Sequence, residues 1–163
     1  MPTALPEQIA QTLITRLEAI TTGNGYAFTV RSVDRVSRDA REWTPRNLCI
    51  GVAQAAEVRN PAMDHEGNPA AIGYQLAFNI HAFVRQSDDA TTQDATTENA
   101  MVAAIKQAVA GTTDWHNFGG LSVDADWGSC QPFISGQGDH AGATLPLFVF
   151  YRISETDPFE TRA

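Results

Sequence analysis

The sequence predicts an α+β protein in which a mainly antiparallel sheet of about five to six strands carries two helices on one face. Two segments, 6–22 and 92–110, repeat apolar residues at helical spacing. Several other segments alternate apolar and polar residues, as half-buried strands do. Loops rich in Gly and Pro separate the strands, and adjacent strands joined by such loops can pair antiparallel.

The first helix is predicted over residues 6–22. Its apolar stripe consists of Ile9, Leu13, Leu17 and Ile20, widened by Ala10 and Ile14. Pro6 suits a first helical position because its missing N–H would have no partner there. Gly23 can adopt the left-handed conformation that closes a helix. The apolar stripe is expected to face a sheet.

Three strands are predicted before the second helix, over residues 26–33, 47–53 and 74–85. In the second of them, small residues alternate with the larger Leu48, Ile50 and Val52, so one face fills a core and the other permits close approach. The third shows the clearest alternation, with one face formed by Tyr74, Leu76, Phe78, Ile80, Ala82 and Val84. Residues 59–73 are expected to form a hairpin loop.

The second helix is predicted over 92–110, where Thr91 and Asp94 resemble a capping box. Its apolar stripe consists of Ala95, Met101, Val102, Ile105, Ala108 and Val109. Trp115 and Phe118 follow in a glycine-flanked loop, which suits them as anchors for a partner or as buried loop aromatics. Two or three strands separated by Gly-rich turns then complete the sheet.

The composition narrows the range of functions. The chain has 163 residues and a formal net charge of −8, which disfavours a sequence-specific nucleic-acid binder. Cys49 and Cys130 are far apart and imply neither a disulfide scaffold nor a zinc ribbon. The N-terminus lacks the pattern of a signal peptide, and no window resembles a membrane span. We expect one α+β domain over 1–163, made in the cytoplasm.

No catalytic, cofactor or metal site is predicted. The histidines show neither an HxH nor an HExxH pattern: His65, His81, His116 and His140. Asp124 and Asp126 would project from one side of a strand, and the favoured interpretation is a solvent-facing side. The DHEG stretch at 64–67 is typical of a surface turn, and the glycines of 136–142 lack the dinucleotide-binding spacing. We therefore predict that the protein is not an enzyme.

The last strand is apolar on both faces. Leu147, Val149 and Tyr151 alternate with Phe148 and Phe150. One face can be covered by the helices of the same subunit, while the other needs cover from its own loops or from a neighbour. Phe148 and Phe150, with Trp115 and Phe118, are therefore the candidate residues for a subunit or partner interface.

The order of these elements resembles that of the tail terminator and tail completion proteins of long-tailed bacteriophages. The resemblance runs from LPEQIAQTLITRLEAI through PRNLCIGVA, YQLAFNIHAFV and ENAMVAAIKQAVAG to the closing strand. The Tyr151–Arg152 step followed by Asp157–Pro158 is similar to the ending of many such proteins.

This resemblance implies a structural virion protein. Such subunits form a ring, expected to be a hexamer, at the head-proximal end of the tail tube, where the ring stops tube growth and forms the head-tail joint. The implied partners are further copies of the chain, the tail tube protein and the head connector or neck protein. DNA would pass through the ring, and an acidic lumen would repel its phosphates.

An alternative class is the NTF2-like small-molecule-binding proteins and isomerases. A curved antiparallel sheet with helices can form a cone around an apolar pocket. Gln75, Asn79 and His81 would then line the pocket, with His81 as an acid or base.

Overall fold

The computed structural model describes residues 3–35, 48–67, 69–85, 95–110, 115–134 and 140–161. In these ranges two α-helices and one seven-stranded sheet form. The elements are α1 (Leu5–Glu18), β1 (Val30–Asp34), β2 (Leu48–Arg59), β3 (Ala71–Arg85), α2 (Ala95–Ala110), β4 (Asp124–Trp127), β5 (Gln131–Ile134), β6 (His140–Ser154) and β7 (Asp157–Thr161). The predicted α+β class is confirmed, with more strands than expected.

The long strands β3 and β6 form the centre of the sheet. They pair antiparallel over their whole lengths, with Ala71 opposite Ser154 and Arg85 opposite His140. The other edge of β3 pairs with β2, while β5, β4 and β7 pair in succession with the other edge of β6. β6 is therefore a central strand that is paired along both of its edges.

The first strand differs from its prediction in extent and direction. It begins at Val30 rather than Tyr26, and Tyr26 and Phe28 pack against the core from the preceding turn. It pairs with β2 parallel rather than antiparallel, and the register shifts between Val30 and Ser32. A parallel pair requires a connection of about a dozen residues, and the chain between β1 and β2 is long enough to provide it.

The hydrophobic core lies between the sheet and the two helices. The predicted apolar faces of β2 and β3 and the odd-numbered face of β6 all point into it, as does the stripe of α1. Its fully buried large side chains include Ile9, Leu13, Leu17, Leu48, Ile50, Leu76, Phe78, Ile80 and Tyr151. α1 packs against β1, β2 and α2, and α2 packs against β3 and β6. The two helices thus share one side of the sheet, as predicted.

The helix ends are only partly as predicted. α1 ends at Glu18, and its cap residue Ala19 is right-handed. Gly23 does not close the helix. Gly25, with φ of 84°, instead closes a short 3-10 helix over Thr22–Asn24. The proposed capping box of Thr91 and Asp94 lies outside the described residues.

The C-terminal segment forms a strand that the sequence did not indicate. A two-residue turn, Glu155 and Thr156, joins β6 to β7. Pro158 is tolerated in β7 because this short strand lies at the margin of the sheet. Among the described residues, no helix is long and apolar enough to cross a lipid bilayer.

Candidate assembly surface

The sheet has a second face, directed away from α1 and α2, which we call the outer face. On β6 it carries Phe148 and Phe150, both half-buried. Their partners across the β3–β6 ladder are Ala77 and Gln75, also half-buried. Neither described helix packs on this face, so these side chains lack the cover that the odd-numbered residues of β6 receive.

A row of side chains that contains two large apolar residues crosses the outer face at the end near the β2–β3 loop. Val58 lies opposite Gln75, and Gln75 lies opposite Phe150. Val58 is 54% exposed, unusually high for a valine within a sheet. On β4, Asp124 and Asp126 lie opposite Phe150 and Phe148, and both are exposed. The row therefore places Val58 and Phe150 on either side of Gln75, with an acidic margin on β4, and a polar margin around apolar side chains is typical of a surface that another protein covers.

A bulge between β4 and β5 positions Phe148. Trp127 and Gln131 are four residues apart, whereas their partners on β6, Leu147 and Thr144, are three apart. The segment between β4 and β5 therefore contains one extra residue. Gly128 lies in this bulge, and a Cβ added there would stand 2.8 Å from Pro146 Cβ and 3.1 Å from Phe148 Cε2. A Cβ at this point would collide with Pro146 and press on the ring of Phe148, so glycine permits the close approach of the bulge to both side chains.

The β2–β3 loop closes one end of the outer face. Met63 lies so close to Gly73 that a Cβ on residue 73 would collide with it. Arg152 Nε donates a hydrogen bond to the Met63 carbonyl at 2.6 Å. Asp64 accepts one from the Gly73 amide at 2.9 Å and pairs with Arg59 at 2.6 Å. The loop is therefore held by the side chains of Arg59 and Arg152 and by the backbone amide of Gly73, and it forms a defined border.

Phe118 does not belong to this surface. Its side chain is 1% exposed and forms part of the subunit's own core. The Arg16 guanidinium lies over its ring, 4.6 Å from the centroid, and donates to the Val109 carbonyl at the end of α2 at 2.9 Å. The prediction of Phe118 as an interface residue is wrong for this conformation, because the loop folds its ring beneath α1. The side chain of Trp115 lies outside the described residues.

Two histidines have local partners. His81 lies on the outer face with Nδ1 3.0 Å from Thr144 Oγ1, and desolvation by burial lowers its pKa. His116 Nδ1 lies 2.8 Å from Asp124 Oδ1 and 3.1 Å from the Ala125 carbonyl, at an exposed position. Both arrangements can hold an imidazole in one orientation.

The other polar residues considered from the sequence make local hydrogen bonds or face solvent. Asp126 accepts a hydrogen bond from the Trp127 amide at 2.8 Å, and both β4 aspartates face solvent as predicted. Asp64 of the DHEG stretch stabilises the β2–β3 loop, as expected for a turn residue. Within the part of the chain that the structure describes, no three His, Cys, Asp or Glu side chains form a group able to hold a metal ion. Cys49 is buried and Cys130 half-buried, both as free thiols.

The β7 arm, residues Glu155–Thr161, is the other surface feature. Glu155, Asp157, Phe159 and Glu160 are all exposed, and Phe159 is 41% exposed. The arm pairs with β6 only at Ser154 and Ile153. It therefore presents an aromatic ring among carboxylates.

Sequence reasoning identified the half-buried Phe148 and Phe150 but missed the exposed Val58 on the outer face and the exposed Phe159 on the β7 arm. Val58 follows the predicted end of its strand, and Phe159 stands in a tail dominated by charge. The signal for each was a large apolar residue in a polar segment. Comparison of the chain with models of protein families, and with curated proteins, yields no match.

Proposed function

We propose that this protein is a structural virion subunit, a tail terminator or completion protein of a long-tailed bacteriophage. It would assemble as a ring, expected to be a hexamer, at the head-proximal end of the tail tube, with the tube protein and the head connector as neighbours. The observation that carries this proposal is the outer face. There neither described helix covers Phe148 and Phe150, and Phe150 lies in line with the exposed Val58.

The energetics of burial support an assembly role. A large apolar side chain gains about 1.5–3 kcal/mol when it passes from full exposure to full burial. Val58 is 54% exposed, so much of this free energy would be released only when a partner covers it. Phe148 and Phe150 add smaller amounts, and the acidic margin restricts which surfaces can approach.

The net charge of −8 is compatible with a ring through which DNA passes. Like charge between the ring and the phosphates disfavours adhesion, so the duplex can slide. This part of the proposal predicts that basic substitutions at lumen positions slow DNA release. Release at the wild-type rate in such variants would contradict it.

Two experiments test the proposed function. Neighbouring genes should encode a major tail protein and a tape-measure protein, and mass spectrometry of purified virions should detect this polypeptide. In a tube-growth assay, addition of the protein should stop elongation of the tail tube protein. Phe148→Asp should abolish this effect, whereas Val123→Asp, at a 42% exposed apolar position outside the row, should retain it. Absence of the polypeptide from virions overturns the proposal.

One observation favours a second candidate, an NTF2-like small-molecule-binding protein or isomerase. His81 is half-buried beside Gln75 and Asn79 on β3, and Thr144 orients its ring. This face supports a cone-shaped pocket less well than an assembly surface, because α1 and α2 lie on the opposite side of the sheet. Saturable binding of a small molecule that is lost in His81→Ala, together with a monomer at all concentrations, would favour this candidate.

A further inference from the structure

We propose that the β7 arm of one copy docks against the β2 margin of the next copy, where the β2 margin means residues Glu57, Val58 and Arg59. This inference rests on the proposed function, since it names the contact by which the ring closes. The occupant of the β2 margin is therefore a second copy of this chain. Three features of the described residues support it: exposed apolar side chains, charge and position.

The exposed apolar side chains are the first feature. Among the described residues, only Val58, Val123 and Phe159 are large hydrophobic residues exposed by more than a third. Val58 lies on the β2 margin and Phe159 on the β7 arm. A contact between them would remove both side chains from water, which is favourable in proportion to the apolar area buried.

Charge is the second feature. The arm carries Glu155, Asp157 and Glu160 and no basic residue between positions 155 and 161. The β2 margin carries Glu57 as well as Arg59, so the attraction to the arm comes from Arg59 alone, whose side chain is 45% exposed and uses Nη2 in its pair with Asp64. A guanidinium has five N–H donors, so Arg59 can donate hydrogen bonds to a second carboxylate on an incoming arm. An Arg–carboxylate pair at the edge of an apolar contact would also fix its orientation.

Position is the third feature. The β2 margin and the arm lie on opposite sides of the β3–β6 pair but at the same end of the sheet, since Arg59 is level with Tyr151 and the arm begins after Ser154. Complementary surfaces on opposite sides of a subunit generate a head-to-tail assembly. A head-to-tail assembly forms a closed ring when the rotation between neighbouring subunits closes, and we take the closed form here from the proposed function.

We expect side chains to form this contact, and not continuous backbone hydrogen bonding between two strands. A register shift between Gln54 and Glu57 breaks the pairing of β2 with β3. Bulges and charged residues on an edge strand hinder continuous pairing with another strand. On the arm, Pro158 lacks an N–H, and the Phe159 N–H donates to Asp157 Oδ1. Both partners therefore lack a regular row of free backbone groups.

Cysteine cross-linking between two different variants tests the contact. In a Cys130→Ser background, Val58→Cys and Phe159→Cys are prepared separately, mixed and oxidised, so that only an intermolecular disulfide can join positions 58 and 159. The matched control replaces Phe159→Cys with Val123→Cys, since Val123 is 42% exposed and Phe159 41%. We expect at least about tenfold more mixed dimer from the 58–159 mixture than from the control.

A charge exchange provides the second measurement. Arg59→Glu should reduce the yield of the 58–159 cross-link severalfold, and Glu160→Arg on the other copy should restore it. A yield equal to that of the control mixture overturns the contact. If tube growth still stops in that case, the proposed function stands and the ring uses another surface. Absence of the chain from virions overturns the proposed function whatever the cross-linking result.

Discussion

Replacing Phe118 distinguishes a core residue from an interface residue. Phe118 is 1% exposed and lies beneath α1, so Phe118→Ala should lower the free energy of unfolding by about 3–5 kcal/mol, as truncation of a buried Phe does. Its φ of 47° is left-handed, which costs a non-glycine residue about 1–2 kcal/mol. Alanine retains that strain, so the substitution gains nothing from it. Urea denaturation followed by circular dichroism measures the loss.

The Arg16 contact can be measured separately by a double-mutant cycle. Phe118→Leu keeps most of the apolar volume but removes the aromatic face, and Arg16→Gln removes the charge. Since Arg16 is half-buried and lies 4.6 Å from the ring centroid, the coupling should be about 1 kcal/mol. Arg16→Gln also weakens the hydrogen bond to Val109, but the cycle cancels that term. A coupling near zero would mean that the guanidinium and the ring merely lie close together.

One result would refute the assignment of Phe118 to the core. If Phe118→Ala left stability within about 0.5 kcal/mol of wild type but blocked ring assembly, the residue would be an interface anchor, as its place in a loop first indicated. Assembly into the proposed ring is measured as the size of the complex at several protein concentrations, with the proposed tail tube partner present. Loss of both stability and assembly agrees with a core role.

Three further predictions concern the sheet. Leu147→Ser should unfold the subunit because Leu147 is fully buried. Phe148→Ser should keep the native circular dichroism spectrum and lose assembly. Equal unfolding of both variants would show that Phe148 is a core residue. Gly73→Ala should lower stability by about 1–3 kcal/mol in thermal denaturation, since its Cβ would collide with Met63, and an unchanged melting temperature would contradict the close approach. Burial lowers the pKa of His81, so the unfolded state binds a proton more readily. Stability should therefore fall as the pH drops through about 6.5 and below, less so in His81→Gln, and an equal fall in both proteins would count against this origin.

The strands and helices were largely predictable because their signals are local. Alternation along β3 and β6 and the helical spacing of α1 determine which side chains share a face. The C-terminal half of β2 was missed because residues 54–59, QAAEVR, do not alternate between apolar and polar, and the segment is exposed on both sides. β7 was missed because acidic residues and a proline are uncommon in strands, and only its position beside β6 makes them tolerable.

The candidate surface was predictable only in part. The two apolar faces of β6 indicated that loops of the same subunit or a neighbouring subunit must cover Phe148 and Phe150. The sequence could not show that Val58 joins their row, because that depends on the register of β2, β3 and β6. Nor could it separate Phe118 from a surface aromatic, since a glycine-flanked loop can fold inward or outward.

The sequence by itself determined the α+β class, the faces of the long strands and the absence of a recognisable catalytic motif. These follow from periodicity and residue type, which act over a few neighbouring residues. Tertiary structure alone decided the parallel pairing of β1 with β2, the burial of Phe118 beneath Arg16 and the placing of Val58 in line with Phe150. Each depends on contacts between segments far apart in the chain, and such contacts produce no periodic pattern in the sequence.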